Sequence, residues 1–480
     1  MPPDFRRIAI VNRGEPAVRF IKAVRDYNRQ HGESLTTIAL FTDGDQRSRF
    51  VREADERVEL GPESDDPESW RRRAYLDQRR LERALVASRA DAVWAGWGFV
   101  AERPEFVDLC QRLGITFTAP PASPKPPRGD KNSAQRLPAE VGLPVTPWGG
   151  AAADSIETAR LQAQRLGFPG GIKAAASIGG RAIRKVSSLA ELPEAYEAAR
   201  LEARKTFGQD TVLVERWVEG SRHLEVQIVA DRHGPTWAVD LRAATVQRRH
   251  QKVVEESPAP DVPLDVERAM RAAAVRLCRA AGFENVGAVE FLYEPSSREF
   301  HFMEVNPWLQ VEHPVTELTR GLAPAAAQRA LARGGLLRGA PPAATGHAVE
   351  VRITVEDAER GFTPTPGVVR VLRVPTRQGL RLDSGVNEGD LVRPEYDSMF
   401  AKLLGWGRTR AEAIDTLVGG LADATIIVDG GVSNRAFLEH LLRRPEVRAP
   451  SVTVDWLDAL AARGQHVSPG HGENALLQAA

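Results

Sequence analysis

The first 118 residues alternate short apolar runs with amphipathic stretches, and this order constrains the fold more than any other feature of the chain. Ile8–Val11 is a continuous apolar run of buried-strand type, followed by Asn12-Arg13-Gly14-Glu15 and a helical pattern carrying Val18, Phe20, Ile21 and Val24. Leu35–Phe41 and Val58–Leu60 read as strands, Asp77–Ser88 as a helix, Ala92–Ala95 as a strand, Pro104–Leu113 as a helix and Ile115–Phe117 as a strand. Strands separated by helices need crossover connections, so the expected sheet is parallel and doubly wound. No GxGxxG follows a strand, which removes the support for a dinucleotide site. Ala95-Gly96-Trp97-Gly98-Phe99 falls at a strand end, where open α/β sheets place ligands; Trp97 either packs there or offers its ring face to a planar group.

The rest of the 480 residues leaves room for two further domains. Lys plus Arg number 64 and Asp plus Glu 64, so no global field favours nucleic acid or an anionic membrane, and any anion must be bound locally. Cys110 and Cys278 both sit in apolar helical patterns and read as core residues; two cysteines make neither a disulfide framework nor a zinc cluster. No apolar run reaches the length of a signal peptide core or a membrane span, and a reducing cytoplasm is the expected compartment.

Ala119–Pro127 is proline-rich and reads as a stiff connector, within a linker and helix over 119–143 that opens near Gly129-Asp130-Lys131. From Leu143 to Val218 the pattern reads strand, helix, strand, helix, strand, a small α/β unit. Inside it Gly171-Ile172-Lys173 ends a strand and AAASIGGRA follows, either a surface turn or a phosphate loop with an adjacent ammonium. Val212–Val214 is an apolar strand running into Glu215-Arg216-Trp217-Val218, which can present backbone groups to an adenine edge. His223–Val229 alternates, placing His223, Glu225 and Gln227 on one face. The run Gln247-Arg248-Arg249-His250-Gln251-Lys252 is a solvated face, a nucleic-acid patch or, better suited to the neutral balance of the chain, a compact anion site.

The densest chemistry lies in Phe302–Val315, FMEVNPWLQVEHPV. Just upstream, Val286–Leu292 alternates and leads into a loop of turn-forming residues, so a hairpin is expected. Symmetric closure sets Glu290 opposite Glu304, with Asn306 on the face of Glu304. Opposed carboxylates repel. Either lysines or arginines on a solvated face relieve that repulsion, or a hard cation does, since two carboxylates and an amide oxygen suit Mg²⁺ that also holds nucleotide phosphates.

Seven motifs together resemble those of biotin carboxylase, the ATP-grasp component of biotin-dependent acyl-CoA carboxylases, most closely the multidomain bacterial type. They are NRGE (Asn12–Glu15), GWGF (Gly96–Phe99), GDK (Gly129–Lys131), QRRHQKVVEE (Gln247–Glu256), QVEHPVTE (Gln310–Glu317), HAVEVRI (His347–Ile353) and YDSM (Tyr396–Met399). The resemblance implies an ATP-grasp fold, α/β and α+β: an N-terminal parallel domain (1–118), a mobile lid (144–218), and a larger C-terminal part (219–464) ahead of a tail (465–480) that is disordered or a linker. It implies ATP- and bicarbonate-dependent carboxylation of biotin through carboxyphosphate. ATP would meet Lys131, Lys173, Glu215, Val218, His223, Gln247, His250 and Leu292; Mg²⁺ or Mn²⁺ would meet Glu290, Glu304 and Asn306. Bicarbonate would meet Lys252, Gln310 and the Val311 backbone, with Glu312 as base; biotin would meet Trp97 and Arg352, the latter stabilising its enolate. None of the four methionines adjoins a lysine, so the biotin is expected on a separate carrier protein or domain, beside a carboxyltransferase in a homodimer or larger assembly.

Three departures fall at the chemistry. Trp308 stands where the family carries an arginine that contacts bicarbonate, removing a bidentate cation. Ser177, Ile178 and Ala182 replace glycines of the lid loop, where β-branched Ile178 is poorly suited to positive φ. Ala243 and Ala244 replace an Asp-Cys pair. Reduced turnover, a nucleotide-binding homologue with a structural role, or an ATP-grasp ligase using another acceptor are the outcomes these changes allow.

Overall fold

The computed structural model describes residues 5–62, 74–119, 133–174, 183–207, 210–393 and 396–467. Its first sheet is parallel throughout, in the order Glu56–Gly61, Thr36–Thr42, Arg7–Ile10, Ala92–Trp94, Thr116–Phe117. The continuous apolar run is buried on both faces, as parallel sheets require. Ile8 and Ile10 pack with Phe20 and Trp94 on one side, Ala9 and Val11 with Leu81 and Phe106 on the other. Helix Gln78–Ser88 starts one residue after the sequence pattern because Asp77 caps it, accepting from the Arg79 and Arg80 N–H groups. At the strand ends Asn12 Nδ2 donates to the carbonyls of Ala95 and Trp97 at 2.7 and 2.9 Å, tying NRGE to GWGF. Gly96 permits that approach: φ is +64°, and a Cβ would lie 2.7 Å from the Trp94 ring.

Residues 143–218 differ from the pattern read in the sequence. The first expected strand is only a set of isolated bridges, at Val145, Trp148 and Ala153. An unforeseen strand, Ile183–Val186, joins Gly170–Ala174 and Val212–Arg216 in an antiparallel sheet. Helices Ile156–Leu166 and Leu192–Phe207 supply its core through Ala159, Ala163, Leu192 and Tyr196. Strand Ile183–Val186 has only Val186 buried, so it carries little apolar signal. The proline connector from 120, Lys131, and the loop positions Ser177, Ile178 and Ala182 lie outside the described residues.

The largest sheet has eight strands, antiparallel at every junction, in the order Glu299–Asn306, Asn285–Glu294, Arg222–Ala230, Thr236–Arg248, Gln251–Ser257, His347–Thr354, Met399–Gly407, Leu380–Ser384. The expected hairpin forms with Glu290 paired to Glu304. Strand Arg222–Ala230 alternates like a half-solvated strand, yet all nine residues are buried. Leu224, Val226 and Ile228 face helix Leu264–Ala280, and the polar alternates face a second, charged interior.

The basic run is a hairpin whose turn residues Arg249 and His250 both hold positive φ, +47° and +64°. Only part of it joins a compact site. Arg248 instead lays its guanidinium over Phe362, 4.1 Å from the ring centroid, and donates to the Gly361 carbonyl. The expected tail from residue 465 also begins as ordered packing: His466 is buried, stacks on Phe362 and sits 2.8 Å from the Ala358 carbonyl. Residues 468–480 lie outside the description. Both cysteines are free and buried, and burial pushes each thiol up to about 12. Among the described residues no helix is long and apolar enough to cross a membrane.

Candidate active site

One face of the eight-stranded sheet carries charge instead of hydrocarbon. Glu304, Glu290, Glu225 and Arg242 are successive cross-strand partners, and farther along the sheet Arg352 faces Lys402, which faces Asp383. Lys252 closes over the first group. Its Nζ lies 2.9 Å from Glu225 Oε2, 2.9 Å from Glu290 Oε1 and 2.6 Å from Glu312 Oε1, so three ammonium hydrogens meet three carboxylates. Burial opposes that charge, but the three carboxylates hold the Lys252 pKa well above its ordinary value. Burial likewise opposes ionisation of Glu290, and Lys252 and His223 together outweigh it, keeping the carboxyl well below the usual range.

Glu312 sits just ahead of helix His313–Arg320 and has one cation on each oxygen: Lys252 on Oε1, and the Arg352 Nη2 on Oε2 at 3.3 Å. Arg352 is anchored in turn by Nε on Glu255 at 2.6 Å, and burial, partly offset by Arg352, pushes the Glu255 carboxyl up to about 6. Gln310 bridges the turn to the sheet, its Nε2 donating to Glu290 Oε1 at 2.7 Å and its Oε1 accepting from Arg242 Nη2 at 2.6 Å. Asn306 Nδ2 donates to the same Glu290 oxygen at 2.7 Å, and His223 Nε2 lies 2.9 Å from the other.

Arg242 and Glu225 are the functional candidates that the sequence reading passed over. The Arg242 side chain is wholly enclosed; Nε donates to Glu225 Oε1 at 2.7 Å, and the terminal nitrogens donate to Gln227, Thr316 and Gln310. An arginine flanked by Leu241, Ala243 and Ala244 was the available signal. Ala243 pairs with Leu224 and Glu256, and both alanines are buried.

The remaining candidates fall around this cluster. Gln247 pairs in register with Lys252, and its Nε2 lies 2.5 Å from His223 Nδ1; Leu292 pairs with His223. On the three-stranded sheet Lys173 and Glu215 form a 2.6 Å ion pair with each other. Val218 lies just past that sheet with its carbonyl taken by Ser221 Oγ, and His250 is exposed at the hairpin turn. Trp97 lies across the turn from the parallel sheet, its ring centroid 6.1 Å from that of His313 and 5.3 Å from Lys402 Nζ. Trp308 is half-buried in the segment between Asn306 and Gln310. The donor set suits a hard divalent cation: Glu290 faces Glu304 in register with the Asn306 amide at hand, oxygen donors of the kind Mg²⁺ prefers. His223 and Glu225 also bring ligand atoms within 4.8 Å of Glu290. A cation held there shares Glu290 with Lys252.

The Glu225 carboxyl yields a pH prediction. Burial would raise its pKa from 4.5, but Arg242 and Lys252 lower it to about 2. A depressed carboxylate stabilises the fold above the unfolded pKa, and that contribution is lost as pH falls from about 4.5 to 2. Urea unfolding across this window is expected to show a steeper loss in the natural chain than in Glu225→Gln, by up to about 1.4 kcal/mol per pH unit. Equal slopes would mean that Glu225 does not hold this charge.

A small three-stranded sheet bearing a lysine, beside a larger antiparallel sheet bearing paired carboxylates, defines the ATP-grasp class of nucleotide-dependent ligases. Three family models cover the chain: "Biotin carboxylase, N-terminal domain" at residues 4–124, "Carbamoyl-phosphate synthase L chain, ATP binding domain" at 130–339, and "Biotin carboxylase C-terminal domain" at 350–459. Biotin carboxylase 1 of Bacillus subtilis is 34% identical over 423 residues, 88% of this chain and 91% of the relative. The methylcrotonoyl-CoA carboxylase alpha subunit of Glycine max is 37% identical over 454 residues, 94% of this chain; the chain spans only 60% of that subunit. A Campylobacter jejuni biotin carboxylase structure superposes with a TM-score of 0.88 at 30% identity, covering 95% of this chain and 99% of the other. The biotin carboxylase domain of Hydrogenobacter thermophilus 2-oxoglutarate carboxylase, solved with MgADP, ADP and bicarbonate, gives 0.87 at 29%, covering 95% and 98%. The chain belongs to the biotin carboxylase family.

Proposed function

We propose that this chain carries out the ATP-dependent carboxylation of biotin, the first half-reaction of a biotin-dependent carboxylase. The observation that carries this reading is the Glu312 carboxylate, buried and gripped by Lys252 and Arg352. A base so placed accepts the bicarbonate proton as the bicarbonate oxygen attacks the γ-phosphoryl group of ATP, giving carboxyphosphate and ADP. Carboxyphosphate breaks to carbon dioxide and phosphate. The phosphate takes the N1′ proton of biotin, and Arg352 stabilises the enolate that captures carbon dioxide. Lys252 and Gln310 orient bicarbonate together with the Val311 backbone, and Trp97 meets the biotin ring. Glu290, Glu304 and Asn306 would hold Mg²⁺, which when bound neutralises phosphate charge.

The same reading gives the chain three domains, at 1–118, 144–218 and 219–464, with 144–218 as a lid. Lys131 and Lys173 would hold phosphates, Glu215 and Val218 the adenine, and His223, Gln247, His250 and Leu292 the rest of the nucleotide. Closure would exclude water from carboxyphosphate. The biotin arrives on a carrier protein or domain, and a carboxyltransferase uses the product within a homodimer or larger assembly. A reducing cytoplasm suits two buried free thiols.

Trp308 makes the bicarbonate pocket poorer by one cation, so slow turnover is part of the proposal. The test is bicarbonate-dependent ADP release with Mg²⁺, with and without free biotin, in the natural chain and in Trp308→Arg. Biotin-stimulated release is expected from both, and the arginine is expected to lower the bicarbonate KM about tenfold, the worth of one charge-assisted hydrogen bond. Release only from Trp308→Arg would favour an impaired homologue with a structural role. Release stimulated by another acceptor but not by biotin would favour a different ATP-grasp ligase.

A further inference from the structure

Beneath the turn that carries Gln310, Val311 and Glu312 lies a second buried charge group that the proposed chemistry does not use. Lys402, on strand Met399–Gly407, has a side chain with no exposed surface. Its Nζ donates to the Val311 carbonyl at 2.7 Å, lies 3.3 Å from Glu15 Oε2 in the NRGE segment, and sits 5.3 Å from the Trp97 ring centroid. Burial opposes the ammonium, but Glu15, Glu350 and Asp383 together outweigh it and raise the Lys402 pKa above its ordinary value. A charged lysine locked in the interior solely for stability is a poor bargain, since an apolar side chain of similar volume does as well. Its single backbone contact is at the residue assigned to bicarbonate.

That contact fixes a peptide plane. The Val311–Glu312 peptide is trans, so drawing the Val311 carbonyl toward Lys402 turns the Glu312 N–H the opposite way. The preceding plane is set in the same manner. Burial holds His313 neutral, and its Nδ1–H donates to the Gln310 carbonyl at 2.7 Å, which turns the Val311 N–H away from His313. The Glu312 N–H is thereby held opposite Lys402 and the Val311 N–H opposite His313, two successive N–H groups of fixed direction, from which a backbone anion cradle can be made. Arg242 fixes the Gln310 side chain of the same turn from the sheet side.

We propose that Lys402 is a positioning residue for bicarbonate: through the Val311 carbonyl it presets the backbone N–H groups that receive the anion, and through Trp97 it links that cradle to the biotin face. This rests on the carboxylase reading above. Two readouts keep them separable. In the ligand-free protein, Lys402→Met is expected to speed amide exchange at 311–313 about tenfold, the loss of one hydrogen bond to a charged group, with the eight-stranded sheet protected as before. In the ADP-release assay the same variant is expected to raise the bicarbonate KM about tenfold while the ATP KM stays within about twofold, and Lys402→Arg is expected to restore part of it. Because Lys402→Met leaves Glu15 buried without its cation, the double variant Lys402→Met/Glu15→Gln is measured beside it. Natural exchange at 311–313, or a natural bicarbonate KM, in either folded variant overturns the proposal. A natural chain that releases no ADP with bicarbonate overturns the carboxylase reading instead, and the exchange comparison still decides whether Lys402 sets the turn.

Discussion

Glutamine in place of Glu312 is expected to lower bicarbonate-dependent ADP release by about a thousandfold, the usual worth of a positioned general base. The geometry makes this substitution more severe than the loss of one charge. Lys252 donates to one oxygen and Arg352 to the other, so an amide must turn its own donor toward one of the two cations. Nucleotide binding, placed on other residues, is expected to stay within about twofold by calorimetry, and the effect should appear in kcat. Glu312→Asp keeps the charge but withdraws it by one methylene, so it should fall between the two. Activity in Glu312→Gln within about tenfold of the natural chain would remove Glu312 from the role of base.

The hairpin that anchors this site was legible for a simple reason. Side chains alternate with period two, and a loop of four residues, 295–298, closes it; closure alone would set Glu290 against Met303, and a one-residue register shift between Glu290 and Phe291 brings it to Glu304. The parallel sheet was legible because its three central strands are apolar on both faces and helices punctuate them. Other features gave weaker signals. His223, Glu225 and Gln227 look like the wet face of a strand, and only tertiary packing shows that this face is a buried, ion-paired interior. Arg248 belongs by sequence to a basic run, yet alternation along its strand sends it to Phe362 while Gln247 and Lys252 face the cluster. The start of the tail was misread because His466 packs through ring stacking, not through any apolar period.

Both groups of buried charge converge on the short turn between Asn306 and His313. Lys252 and Arg242 reach it from the sheet side, and Arg352 and Lys402 from the neighbouring strands. A turn has no ladder of its own to hold it, so its placement depends on these side chains. In this chain the turn also carries Trp308, which makes the surviving cations more important for any anion bound there.

Arg242 is where that dependence should be strongest. Arg242→Met is expected to reduce unfolding free energy by about 3–5 kcal/mol, the usual cost of leaving one partner of a buried ion pair alone. Glu225 keeps Lys252 but loses the guanidinium on Oε1, while Gln227 and Gln310 each lose a donor in a space that admits no exposed surface. Urea unfolding checks the figure, and Arg242→Met/Glu225→Gln distinguishes its cause. If the uncompensated carboxylate dominates, the second change recovers more than half the loss; if the lost amide contacts dominate, it recovers little. In either case Gln310 loses its Arg242 contact and is held to the sheet by Glu290 alone, so a folded double variant should still bind nucleotide yet need more bicarbonate. A single variant that loses less than about 1 kcal/mol would mean that water reaches Arg242 and that the enclosed network does not hold the turn.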